Sequence, residues 1–347
     1  MIAKIALDKL QDLIAAIAKN EKLYLPVDKK DGVAVFEEYK EGSKLSQQLN
    51  TLRSAKDFFF PQIEKLAKFR MEGKKIEVED IRKEPEDYVI FGVRACDVRS
   101  FDVLDKVFLA EPVDTYYKMS REHATVVSFA CHAPSETCFC HSFGIDAARP
   151  DGDARMWIVE NDVFLEDITE KGKKLLDGID LAALGANCDE ANKEAVEKEV
   201  ERVHDIIGKL PLGNLKPVDN RDKELELFNQ VDKWKELSDK CLGCGSCTFV
   251  CPTCQCFDIE EFKGNNGAVE RFRCWDSCMY KDFTMMAAGT PRKSQMERFR
   301  QRFMHKLVYY PIQHDGMYSC VGCGRCLRRC PINMNIVKVM KAFQEEA

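Results

Sequence analysis

The sequence predicts an α+β protein. An N-terminal α/β domain spans 1–170, a helical connector 171–220, and a helical, cysteine-rich domain 221–347. Three observations carry this division. Helical and strand-like apolar patterns interleave up to about residue 165, and beyond 190 the apolar residues recur at helical spacing. The last third concentrates cysteines in runs with two-residue gaps and contains few strand signals. The length, 347 residues, independently suggests about two domains.

The elements follow in order. Residues 6–19 read as a helix with Leu10, Leu13, Ile14 and Ile17 on one face. Short β-branched or aromatic runs at 23–27, 33–39, 88–93, 124–130, 156–159 and 163–165 read as strands. Val196, Val200, Val203 and Ile207 mark a helix in a charged background, and the segment 211–220 is the linker candidate. Leu227, Val231 and Trp234 suggest one further helix. Ser294 and Glu297 form a capping-box pattern ahead of Met296, Phe299, Phe303 and Leu307. A last helix follows Pro331, with Ile336, Met340 and Phe343 inward.

Composition narrows the function. Apolar residues are 45% and charged residues 32%, as in soluble globular chains. A net charge of −6 argues against a basic nucleic-acid-binding surface. No apolar run is long enough to span a membrane, and 1–19 lacks the unbroken apolar core of a signal peptide. Seventeen cysteines are an odd number and too many for an ordinary reduced enzyme. In a chain that is neither short nor loop-rich, they point to a cytoplasmic protein whose cysteines bind metal rather than form disulfides.

Their spacing specifies the metal. Cys241, Cys244, Cys247 and Cys251 precede Pro252, and Cys320, Cys323, Cys326 and Cys330 precede Pro331. Each run is C-x2-C-x2-C-x3-C-P, the bacterial ferredoxin pattern. The two-residue gaps wrap three thiolates around one cubic cluster, and the fourth cysteine, turned away, reaches the other cluster. One [4Fe–4S] cluster is therefore assigned to Cys241, Cys244, Cys247 and Cys330, and a second to Cys320, Cys323, Cys326 and Cys251. Gly243, Gly245, Gly322 and Gly324 let the loops turn tightly and bring backbone N–H groups toward the sulfurs. Arg325 either compensates cluster charge, meets a partner or is solvated. The insert at 252–319 reads as mostly helical, which makes the α-helical ferredoxin fold the nearest analogy.

Nine cysteines remain. Cys96 and Cys131 each lie just past the carboxyl end of an expected strand, where α/β sheets bind ligands. Cys138 and Cys140 form a C-x-C hook whose side chains point one way when extended. These four are candidates for a third [4Fe–4S] cluster, placed on a face away from the ferredoxin pair, with His132 and His141 as alternative ligands. The plainer reading is four packed thiols. Cys254, Cys256, Cys274 and Cys278 either bind zinc or a further cluster, or pack beside the clusters. Cys188 has no role. Cys241/Cys247 with Cys274/Cys278 match the C-x5-C and C-x3-C spacing of sirohaem enzymes, but the ferredoxin pattern already takes the first pair.

No dinucleotide fingerprint, phosphate-binding loop or nucleophile elbow is present. The sequence thus reads as an electron-transfer subunit. The alternatives are a stand-alone flavin-containing iron–sulfur oxidoreductase and a structural or sensory iron–sulfur protein. The basic run 291–306 is either a solvated face, a counterweight to anionic clusters or a docking face.

Gly92-Val-Arg-Ala-Cys-Asp97, Cys138-Phe-Cys140, Cys251-Pro-Thr-Cys-Gln-Cys-Phe-Asp258, Trp275-Asp-Ser-Cys278, His305-Lys306 and Cys320-Val-Gly-Cys-Gly-Arg-Cys326 together resemble one family in the same order. It is the dicluster iron–sulfur family that holds the electron-transfer component of anaerobic sulfite reductase and the sulfhydrogenase β subunits. The resemblance implies anaerobic electron relay between a catalytic redox subunit of sulfite reductase or hydrogenase type and a FAD/NAD(P)-binding reductase subunit. Cys274 lies outside the family pattern, which counts against a zinc site that uses it.

Overall fold

A strand that is apolar at every position needs cover on both faces, and 88–93 has it. The computed structural model describes residues 2–82, 86–264 and 267–344. Its strands, in chain order, are β1 (Ile2–Ala6), β2 (Lys22–Asp28), β3 (Ala34–Glu38), β4 (Ile63–Glu72), β5 (Lys75–Asp80), β6 (Tyr88–Val93), β7 (Ala124–Phe129), β8 (Ala154–Val159), β9 (Asp162–Asp167), β10 (Phe257–Lys263) and β11 (Val269–Trp275). The main sheet runs β1-β9-β8-β7-β6-β2-β3. Its centre, β2-β6-β7-β8, is parallel, and antiparallel strands flank it on both sides.

The first helices are α1 (Leu10–Asn20), α2 (Ala95–Phe108), α3 (Thr115–His123), α4 (Glu170–Asp177) and α5 (Glu190–Lys209). Alternate residues of β6 face opposite sides, so Val89 and Phe91 meet Leu13, Ile14 and Ile17 of α1. Tyr88 and Ile90 meet Phe101 and Leu104 of α2. The α5 face expected from its spacing, Val196, Val200, Val203 and Ile207, packs on Trp157 and Phe164. Helix α4 lies so close to the segment before β8 that a Cβ at Gly172 would stand 1.8 Å from the Asp153 carbonyl oxygen.

The helices of the C-terminal part are α6 (Glu224–Asn229), α7 (Val231–Ser238), α8 (Ser246–Phe249), α9 (Gln295–Met304), α10 (Tyr310–Gln313), α11 (Arg325–Arg329) and α12 (Ile336–Gln344). A π-turn at His305–Tyr309 joins α9 to α10. Trp234, Phe299, Phe303, Leu307, Met340 and Phe343 form their core. The capping box at Ser294 and Glu297 is formed. Leu212 and Leu215 of the linker candidate are buried in this same core. Among the described residues no helix is long and apolar enough to cross a membrane.

Three expectations need correction. The helix expected through Leu227, Val231 and Trp234 breaks at Gln230, which leaves helical geometry at ψ 58°, and Val231 is exposed. The N-terminal helix begins as a 3-10 turn, Leu7–Lys9, before α1. Most consequentially, the insert at 252–319 is not mostly helical. It carries β10 and β11, which join β4 and β5 in a second, antiparallel sheet of order β10-β11-β4-β5. Strands β5 and β10 are exposed at every position, so no apolar face announces them. Backbone pairing holds them to β11 and β4, and those two strands are tied to each other by a buried Arg273 of β11 that pairs with Glu64 of β4 at 2.6 Å.

Gly172→Ala should lower stability by about 1–3 kcal/mol, because the added methyl must push backbone apart. A thermal-unfolding scan of the variant that superimposes on the parent would contradict the packing of α4 described above.

Candidate iron–sulfur centres

The first cysteine loop leaves α7 and ends at α8. Gly243 and Gly245 have φ of 65° and 72°, left-handed values that favour glycine. The second loop repeats this, with φ of 59° at Gly322 and 74° at Gly324, and ends at α11. The two loops are conformational copies, as their matching sequences require.

Cys241, Cys244, Cys247 and Cys330 line one cavity, walled by Phe299 and Arg302. Polar donors reach three of these sulfurs: Gln295 Nε2 lies 3.3 Å from Cys241 Sγ, the Met334 backbone N–H donates to Cys330 at 3.2 Å, and the Ser246 backbone N–H and hydroxyl hydrogen-bond to Cys244 and lower its pKa. Cys320, Cys323, Cys326 and Cys251 line a second cavity, with Arg302 and Lys306 in its wall. Cys330 thus sits with the first three cysteines of the other run, and so does Cys251. The Gly322 backbone N–H hydrogen-bonds to Cys320 and counteracts burial, which pushes that thiol up. Thr253 Oγ1 lies 3.3 Å from Cys251 Sγ.

Cys96, Cys131, Cys138 and Cys140 line a third cavity. Strands β6 and β7 are parallel neighbours, so their carboxyl ends bring Cys96 and Cys131 to one edge. His141 also lines it, with a buried Nε2 that has no hydrogen-bond partner. His132 instead stacks on Phe129 at 5.7 Å. Burial pushes the thiols of Cys96, Cys131 and Cys140 up, so a bare thiolate is costly there and a metal-bound one is not.

The position of this cavity overturns one expectation. It does not face away from the ferredoxin-type pair, because Gly322 and Cys323 of the second loop form part of its wall. The Phe139 backbone N–H donates to the Gly322 carbonyl at 3.0 Å. A Cβ on Gly322 would stand 2.4 Å from the Phe139 carbonyl, and one on Gly324 2.5 Å from the Thr137 oxygen. These two glycines admit the backbone of the C-x-C hook, a reason the spacing alone did not reveal. Arg325 is neither solvated nor free for a partner. It is buried and donates to both carboxylate oxygens of Asp97, at 2.5 and 2.7 Å, and to the Thr51 carbonyl at 2.8 Å.

The basic run proves partly internal. Arg300, Arg302 and Lys306 are buried. Arg302 stands in the walls of both ferredoxin-type cavities and donates to the Cys247 carbonyl at 3.0 Å, while its Nε has no hydrogen-bond partner. Burial opposes its charge, but the sulfurs of Cys247, Cys254, Cys326 and Cys251 more than offset this and raise its pKa. Lys306 behaves alike, raised by Cys251 and Cys254 against burial, with hydrogen bonds to Thr253 Oγ1 and the Ser319 carbonyl. Buried cations facing sulfur suit anionic iron–sulfur clusters. Sequence reasoning missed Lys56, also buried, which donates to the Cys254 carbonyl at 2.7 Å. An isolated lysine beside an aromatic run carries no signal of that role.

Of the insert cysteines, Cys254, Cys256 and Cys278 converge. Cys274 lies in β11, where its charged neighbours are Glu260, Asp258 and Asp276. Cys188 is exposed. Among the described residues no three His, Cys, Asp or Glu side chains stand close enough to grip a single metal ion.

Arg325→Met should destabilise the protein by about 3–5 kcal/mol, since it strands a buried carboxylate. Adding Asp97→Leu should recover a large part of that loss. Denaturant titration of both variants checks this, and equal stability of the single and double variants would rule out the buried pair.

Residues 240–334 match the family described as a 4Fe-4S dicluster domain. Over 334 residues, covering 89% of each chain, the sequence is 31% identical to the sulfhydrogenase 2 subunit beta of Pyrococcus furiosus. With that identity across nearly its whole length, the chain belongs to the dicluster iron–sulfur subunit family that includes the sulfhydrogenase β subunits.

Proposed function

We propose that the chain is the electron-relay subunit of an anaerobic oxidoreductase complex, standing between a catalytic redox subunit of hydrogenase or sulfite reductase type and a FAD/NAD(P)-binding reductase subunit. The observation that carries this reading is the order of the cysteine-lined cavities. Arg302 walls both the first and the second, and Gly322 and Cys323 wall both the second and the third. Such an arrangement is a line with two ends.

In this reading Cys241, Cys244, Cys247 and Cys330 hold the first [4Fe–4S] cluster, and Cys320, Cys323, Cys326 and Cys251 the second. Cys96, Cys131, Cys138 and Cys140 hold a third. Each cluster, when bound, supplies a one-electron couple whose potential depends on charge and on hydrogen bonds to its sulfurs. The protein's part is to set those surroundings. Arg302 lies between the first two sites and favours the reduced, more anionic state of both. Lys306 does the same for the second. The N–H groups of Gly322 and Met334 act on Cys320 and Cys330. Cys244 and Leu242 are exposed, so the first loop offers electrons a short path to a docked partner. The matched relative, by its name, is a subunit of a larger enzyme, and this favours the same role here.

Cys330→Ser should damage the cluster of Cys241, Cys244 and Cys247 and spare that of its own run. Spectroscopy that finds only the Cys320 cluster altered would reject the crossed ligation. The anaerobically purified chain should hold about twelve irons. About eight irons, with Cys96, Cys131, Cys138 and Cys140 all open to alkylation, would remove the third site. Isolation from its host should bring down a catalytic subunit together with a flavoprotein. A purified single chain that contains flavin and oxidises NAD(P)H would overturn the relay role.

A further inference from the structure

The relay leaves three clustered cysteines unused. The β10–β11 hairpin closes with Phe257 opposite Trp275, and the Asp276 N–H donates to the Cys256 carbonyl at 3.0 Å. This closure lays the turn that carries Cys278 against Cys256. The Cys278 side chain and its backbone N–H both hydrogen-bond to the Cys256 sulfur. Both residues are partly exposed, so protons and reagents reach them. On the inner side lies Cys254, within hydrogen-bonding distance of Cys251. The sulfurs therefore form a short row from the second centre to the surface.

We propose that Cys256 and Cys278 are a redox-active dithiol, a two-electron couple beside the one-electron centre to which Cys251 contributes. On oxidation two S–H bonds break and one S–S bond forms. The two electrons would leave one at a time to the oxidised iron–sulfur centre, which holds one and passes it to the next centre of the relay before it takes the second, and the two protons leave to solvent through the exposed edge. Reduction runs the same steps backward, with the reduced centre as electron donor. The electron path rests on Cys251 ligating a cluster; the dithiol itself does not.

The chemistry of the pair fits this use. A thiol exchanges best when its pKa lies near the ambient pH. The Cys278 hydrogen bonds pull Cys256 down to about 7 despite burial, with help from Lys306. The contact with Cys256 and burial push Cys278 up. One sulfur is poised as the nucleophile and the other as its protonated partner, as a disulfide couple requires. Cys274, on the same hairpin, sits among carboxylates that raise its pKa further after burial has done so, and takes no part.

The test is alkylation trapping with mass spectrometry on the anaerobic holoprotein poised by redox mediators. At the oxidising end Cys256 and Cys278 should leave the alkylatable pool and appear as one linked peptide pair. Reduced viologen should return both thiols. Cys256→Ser and Cys278→Ser should each abolish the linked species while iron content and cluster spectra stay at the parent level. In Cys323→Ser, with its second centre impaired, reopening by viologen should slow by about tenfold. Two alkylatable thiols at every potential would overturn the proposal. So would loss of about four irons or of a zinc ion in Cys256→Ser, which would make these cysteines metal ligands. Unchanged reopening in a folded Cys323→Ser variant would overturn the electron path. Iron content of the parent tests the cluster reading separately.

Discussion

The contact between the second cysteine loop and the Cys138-Phe139-Cys140 hook is the constraint on which the molecule's architecture depends. It is made by backbone against backbone, at a distance that leaves no room for a side chain on Gly322 or Gly324. The Arg325–Asp97 pair locks it from the other side, one residue from Cys96. A buried ion pair contributes little net stability, because desolvation offsets most of its attraction. Its worth here is positional. The planar guanidinium reads both carboxylate oxygens and the Thr51 carbonyl at once. Only one docking of the loop on the α/β sheet satisfies all three.

Charge placement follows from the same need to pack sulfur sites closely. Lys56, Arg302 and Lys306 are buried, and they donate to backbone carbonyls and one hydroxyl. Cations placed this way are unfavourable unless anions lie within a few ångströms. For Arg302 and Lys306 those anions are the cysteine sulfurs, which raise both pKa values against burial; at Lys56 burial outweighs Cys254, Cys251 and Asp57 and pulls the pKa down. Clusters bound by these cysteines would therefore couple the folding of this region to metal binding, as in other metal-organised domains. The overall charge of −6 gives no hint of this, since it averages an acidic surface with a basic interior.

Much of this was legible in the sequence, for identifiable reasons. The parallel centre of the sheet showed itself because buried strands such as 88–93 are apolar throughout. Helices α1 and α5 showed themselves because their inward residues keep helical spacing. The grouping of Cys330 with Cys241 and of Cys251 with Cys320 was expected from spacing, and the cavities have the same membership. The second sheet was not legible. Strands β5 and β10 bury no side chain, and the pairing that closes the sheet, β11 on β4, joins residues 200 or more positions apart, from Phe69 with Val269 to Ile63 with Cys274. The place of the third cavity was hidden too. Cys96 and Cys131 could be put at a sheet edge, but which loop covers that edge depends on a tertiary contact.

That second sheet also changes what the two halves are. Strands β4 and β5 belong by sequence to the α/β part, yet β11 pairs with β4 and supplies Trp275. Trp275 packs on Phe60 and Phe108 beneath α2, and its indole N–H donates to the Phe60 carbonyl at 3.1 Å. Lys56, on the same segment, stands over the Trp275 ring at 3.9 Å and reaches the Cys254 carbonyl. The hairpin thus ties an aromatic core under the N-terminal sheet to the two segments at its base, one carrying Cys254 and Cys256 and the other Cys278. A displacement of that core would move the sulfur row beside the second centre. The cysteine-rich part and the α/β part thus share one sheet and one aromatic core at the point where their sulfur sites meet.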